Sequence, residues 1–210
     1  MTRHAPYGDT SASAIYHLLF ADDATAFAPH RGEAPAPWQD VLSGTDAAAV
    51  RVLADDATQE SRVRALAFGW LRAHGVAVSA KVLLGVVVEV PLDGGLDTLA
   101  AYADGSVRYI NQSGAMSIFD APMPALAPQV DAVLRAAQAI VARIGPTDGP
   151  RLPPPAAGNL RLSFLVSDGL YFGEGPADAL MGDALAGPLV NAATGLLQAV
   201  VAVPHGHGVR

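Results

Sequence analysis

KVLLGVVVEVPLDGGLDTLAAYADGSVRYINQSGAMSIF, residues 81–119, reads as a β-meander with two tight hairpin turns. Asp104-Gly105 stands at the centre of Ala103-Asp104-Gly105-Ser106, where a type I′ turn needs φ > 0 at two residues and only Gly, Asn and Asp accept it cheaply. Gln112-Ser113-Gly114-Ala115 supplies the second turn. With two residues in each loop, Tyr102 faces Val107, Ala100 faces Tyr109, and Tyr109 faces Ile118. That register puts Tyr102, Val107, Tyr109, Met116 and Ile118 on the core face. The other face carries Leu99, Ala101, Ile110, Ser117 and Phe119, with Arg108 as its one charge and a candidate binding residue.

Working outward, residues 82–90, VLLGVVVEV, are continuous enough for a central strand covered on both faces, interrupted only by Glu89. PLDGGLDT connects it to the meander. Upstream, TQESRVRALAFGWLRAHG (58–75) holds one apolar stripe, Val63, Leu66, Ala67, Trp70 and Leu71, and predicts a helix over 58–74. Thr58 suits its N-cap, Glu60 is one turn from Arg64, and Gly75 suits the C′ position. A short helix is expected over 46–55. Residues 22–40 read as a surface loop pinned by Phe27 or Trp38, and the apolar run 14–20, AIYHLLF, reads as a strand.

Downstream, Val130, Val133, Leu134, Ala137, Ile140, Val141 and Ile144 keep a helical period from about Leu126 to Ile144, with Pro128 in the first turn and Gly145-Pro146 as the stop. GPTDGPRLPPPAAG (145–158) is a Pro-rich connector. Leu160, Leu162, Phe164 and Val166 then alternate with other residues in a strand that turns at Ser167-Asp168-Gly169-Leu170. The last segment, 188–203, is apolar nearly all round, so it is either buried within the chain or shared between two copies. Together these elements predict one α+β domain over 1–210. Its mainly antiparallel sheet, a β-meander plus a hairpin, is covered by amphipathic helices.

Composition narrows function by exclusion. The chain of 210 residues has no cysteine, which removes disulfides, thiolate catalysis and cysteine-ligated zinc. The formal net charge is −7 without a basic patch or helix, so neither nucleic acid nor an anionic membrane is an expected partner. No apolar leader or eighteen-residue apolar span is visible, and a cytoplasmic location follows by default. Twelve of the thirteen basic residues are Arg, the residue usage of a GC-rich bacterial genome. No nucleophile elbow, zinc-protease helix or phosphate loop occurs, and no cofactor is implied. His205-Gly206-His207 makes no closed metal site.

The acidic residues around the end of the first strand are the remaining candidates. Glu89, Asp93 and Asp97 lie within nine residues of one another, and strand ends are where a sheet gathers carboxylates for general acid-base work or a hard cation. Asp104 and Asp168 are explained by turn geometry. The expected function is a non-catalytic bacterial module that binds a protein partner, or a second copy of itself, through the 188–203 helix. The alternative is a carboxylate- and divalent-metal-dependent hydrolase.

Overall fold

One strand, β1 (Leu83–Leu92), lies at the middle of the computed structural model of the chain, which describes residues 5–24, 26–27, 37–43, 46–79 and 81–203. From Leu84 to Glu89 it is buried at every position, as an unbroken apolar run with two covered faces requires. β2 (Gly95–Tyr102) pairs on one side and β5 (Asn159–Val166) on the other. β3 (Val107–Ile110) and β4 (Met116–Phe119) extend the first side, and β6 (Gly169–Pro176) extends the second. All neighbours in the order β4-β3-β2-β1-β5-β6 are antiparallel, and the fold is α+β.

Four helices cover one face: α1 (Thr10–Leu19), α2 (Trp38–Leu42), α3 (Ala47–Asp55) and α4 (Ser61–Ala73). Their Tyr16, Leu19, Val50, Leu66 and Phe68 pack on Leu84, Val87, Ala100 and Tyr102 of the sheet. Phe27 and Trp38 stack in this layer with ring centres 5.0 Å apart, while most of the loop between them lies outside the described residues. α5 (Ala127–Val141) and α7 (Ala186–Ala202) cover the opposite face over Val86, Leu99, Leu162 and Phe164. A short helix, α6 (Ala177–Gly182), joins β6 to α7. Leu189, Leu196 and Val200 of α7 are buried in the layer that α7 forms with α5 and the sheet. Among the described residues no helix is long and apolar enough to cross a membrane. The tail with His205 and His207 lies outside the described residues.

Three local expectations are corrected. Residues 14–19 are helical, because Asp9 caps α1 by accepting from the N–H groups of Ser11 and Ala12 at 2.6 and 2.9 Å. Helix α4 starts at Ser61, not after Thr58: its first N–H donates to Asp104 Oδ2 at 2.6 Å, and Ser61 Oγ accepts from the Asp104 N–H at 3.0 Å. A hairpin turn thus caps a helix. Glu60 pairs with Arg62, while Arg64 donates to the Ala54 carbonyl.

The meander is also shifted by one residue at both turns. Each loop holds three residues: Tyr102 N–H donates to Ser106 O and Gly105 N–H to Tyr102 O, and the same pair of bonds joins Asn111, Ala115 and Gly114. Gly105 and Gly114 have φ of +84° and +87°, whereas Asp104 is not among the residues with positive φ. The loops are therefore three-residue turns closed by a left-handed glycine, not type I′ turns. Ala101 faces Val107, Leu99 faces Tyr109, and Tyr109 faces Ser117. A one-residue slip exchanges the faces: Tyr102, Arg108 and Ile110 lie on the α1–α4 side, and Val107, Tyr109 and Phe119 on the α5–α7 side. Asp93-Gly94, between paired Leu92 and Gly95, is itself a two-residue hairpin loop.

Gly85 is opposite Tyr102 in this register, and a Cβ there would stand 2.7 Å from the Tyr102 ring. Tyr102 is fully buried and its hydroxyl donates to Leu19 O at 2.7 Å, so the ring has nowhere to retreat. Gly85→Ala is expected to cost about 1–3 kcal/mol, the range for overpacked cores. Chemical denaturation measures it as a lower midpoint at constant m; an unchanged midpoint would show that the ring yields freely.

Candidate functional site

Strand alternation gives β1 two kinds of surface. Glu89 points toward α1, while its neighbours Val88 and Val90 point toward α7. The register aligns Thr98, Glu89, Arg161 and Glu174 in one polar row across β2, β1, β5 and β6. Helix α1 and the segment before it close over this row. Tyr7 and Thr98 share a hydroxyl hydrogen bond of 2.8 Å, and Tyr16 donates to Glu89 Oε1 at 2.7 Å.

Glu89 is 0% exposed and its Oε2 has no hydrogen-bond partner. The nearest cation, Arg161 Nη1, is 3.7 Å away and already committed. Arg161 donates from Nε and Nη2 to Glu174 Oε2 at 2.9 and 2.6 Å, and from Nη1 to Pro153 O at 2.6 Å. Burial therefore pushes the Glu89 carboxyl above its ordinary range, despite the lowering effects of Tyr16 and Arg161. Burial, and next the nearby Glu89, push the Tyr16 hydroxyl up as well. Arg151 borders the cluster: it pairs with Asp22 at 2.9 Å and lies 3.8 Å from the Phe20 ring centre. With α1 in place no solute reaches Glu89, so this cluster is a lock and not an open site.

The accessible feature is on the other face. A groove of about 280 Å³ runs between α7 and the ends of β1, β2 and β5. Val88, Val90, Leu99 and Leu160 form its floor, and Val190, Ala193, Thr194 and Leu197 its helical wall. Asp97 and Tyr109 stand at its polar side. Asp97 accepts from the Tyr109 hydroxyl at 2.8 Å and from the Gln112 N–H at 2.7 Å, so it ties the second meander turn to β2. Burial first, then the Asp97 hydrogen bond and charge, push the Tyr109 hydroxyl up. Gly95 permits the tie: a Cβ there would stand 2.2 Å from Gln112 O.

The four sequence candidates separate in space. Glu89 lies under α1, Asp97 on the α7 side, and Asp93 exposed in the loop between their strands. Among the described residues no group of three or more His, Cys, Asp or Glu is placed to hold a metal ion. Arg108 is 4% exposed; its Nη2 contacts Asp120 and its guanidinium lies over Tyr102, 5.5 Å from the ring centre. Only Asp97 borders the groove. Glu174 stood among the acidic residues near hairpin ends, but its pairing with Arg161 across the second hairpin escaped sequence reasoning. That pairing is in register with Val166 opposite Gly169, so the loop is Ser167-Asp168 and the register lies two residues from that expected for an Asp168-Gly169 centre. Against known proteins, the chain matches no family model, no curated protein and no solved structure.

The buried carboxyl sets a pH dependence. A folded-state pKa raised above the ordinary 4.5 means that the folded chain keeps a proton the unfolded chain releases. The associated stability is complete below pH 4.5 and is lost as pH rises through the folded pKa. Asp56, held down to about 2 by Gln59 and Thr58, acts oppositely and only in stronger acid. Glu89→Gln retains an acceptor for Tyr16 but cannot ionise. The difference in melting temperature between wild type and variant should therefore move in favour of the variant from pH 5 to pH 8, and parallel curves would sink the assignment.

Proposed function

We propose that the chain is a non-catalytic binding module of the bacterial cytoplasm that acts through protein contact at the groove beside α7. The observation carrying this reading is the groove itself: an open aliphatic trough whose lining is fixed by a central sheet on one side and a long helix on the other. Its size supports an anchor site. Pockets for small-molecule ligands run from roughly 300 to 1,000 Å³, and about 280 Å³ suits one or two side chains of a partner better than an organic cofactor. Leu92, 43% exposed at the rim, and Val201, 61% exposed one turn beyond Leu197, extend the apolar surface past the groove.

A photo-cross-linking side chain at position 197, introduced in the source cells, is expected to yield a discrete protein adduct. The same group at Val52, exposed on α3 in the layer across the sheet, is the control and should yield none. Equal labelling from both positions, or none from 197, would remove the groove as the contact surface. A second copy of this chain is the competing occupant, supported by the exposed Val201 on α7. Light scattering at micromolar concentration separates the two: a monomer excludes it, whereas a dimer split by Leu197→Asp establishes it. Burying an unpaired carboxylate in such a contact costs about 2–5 kcal/mol.

A further inference from the structure

We infer that the groove's occupant is an amphipathic helix that presents aliphatic side chains to the trough and a Lys or Arg to Asp97; this rests on the groove being the contact surface. Three features of the lining specify it. The first is charge. Among the described residues Asp97 is the only charged side chain lining the groove, and its two bonds, from Tyr109 and Gln112, leave acceptor capacity on its carboxylate oxygens. An occupant that displaces water from these aliphatic surroundings strengthens the attraction of Asp97 to its own cation and the repulsion of an anion. A fatty acid or other acidic amphiphile is disfavoured at the same position. The formal net charge of −7 biases approach in the same direction.

The second feature is the state of the backbone. The strands beneath the groove, β1, β2 and β5, are all interior in the sheet order, and at its floor Val88 pairs with both Leu99 and Leu162, and Leu99 with both Val88 and Tyr109. An extended segment laid here would find no strand edge, and its own buried amides would be left unpaired. A helix satisfies its backbone internally and needs only side-chain contacts. The third feature is volume. About 280 Å³ admits a pair of anchors one turn apart, the spacing at which a helix presents neighbours on one face.

The test selects a naive displayed-peptide library on the immobilised full-length protein and measures the enriched peptides by fluorescence anisotropy. The expected peptides have two aliphatic or aromatic residues at helical spacing with a Lys or Arg within a turn, and gain helical circular dichroism on binding. Leu197→Arg, which fills the groove with a cation, should abolish binding. Asp97→Asn should weaken it about tenfold or more, the scale of a lost charge-assisted contact in a partly desolvated site.

Thr194 is exposed on the groove wall, so its substitution tests charge without disturbing the Asp97 hydrogen bonds. Thr194→Lys should weaken binding and Thr194→Glu strengthen it. Peptides lost with Leu197→Arg but indifferent to Asp97→Asn and to both Thr194 variants would overturn the cationic occupant and leave the groove standing. Peptides indifferent to Leu197→Arg, or a selection that enriches nothing, would overturn the groove reading as well. Displacement of the peptides by dodecanoate with equal affinity for Thr194→Lys and Thr194→Glu would overturn the charge argument from the ligand side.

Discussion

A carboxyl group cut off from water sits near the centre of the sheet, and the placement of α1 follows from it. A buried acceptor without a donor costs about 1–3 kcal/mol, and Tyr16 is the side chain that donates to Glu89. Meeting that bond requires α1 to lie across β1 with Tyr16 directed downward, which also brings Tyr7 to Thr98 and Phe20 under Arg151. The layer is then sealed by aromatic contact: Tyr16 meets both Tyr7 and Phe20 edge-on at 6.1 and 5.3 Å. One polar side chain in an otherwise apolar strand thus fixes where a helix docks.

The same alternation creates the groove. Val88 and Val90 flank Glu89 and must face the opposite layer, where α5 and α7 are the only long helices among the described residues. α5 covers the part of the sheet near Val86 and Leu99, while α7 presents small residues, Ala193 and Thr194, over the end of β1. Small residues beside a long strand leave space that no other described element fills. The polar row and the apolar trough are therefore two sides of one strand end, and a register slip in β1 would exchange valines and glutamate and abolish both.

The strand content of this fold was legible because alternation, Asp-Gly pairs and the unbroken 82–90 run all point to antiparallel neighbours. The face assignments were not, because they depend on loop length. Asp-Gly suits a two-residue turn with both residues at positive φ, but it equally suits a three-residue turn in which only the glycine is left-handed. The second reading gives Asp104 a further task, capping α4, and that partner lies 43 residues away. Helix α1 is a comparable case: AIYHLLF has no period that separates strand from helix, and the deciding residue is Asp9, outside the run.

The buried cluster was the least legible part, because it joins Tyr16, Glu89, Arg151, Arg161 and Glu174 from distant stretches, yet one of its members follows from elementary chemistry. The connector 145–158 contains Pro153-Pro154-Pro155, whose nitrogens carry no hydrogen, and a polyproline stretch forms no internal backbone hydrogen bonds. Its carbonyls are left seeking donors. Arg161 has more donors than Glu174 accepts, and its Nη1 takes the carbonyl of Pro153 while Nε and Nη2 hold the carboxylate. Two residues earlier, Arg151 turns back onto Phe20 and Asp22 at the end of α1. The proline segment is thus a strap between the β5–β6 hairpin and the helix that seals Glu89. Its stiffness keeps the Pro153 carbonyl and the Arg151 guanidinium in place at little entropic cost, since proline has little freedom to lose.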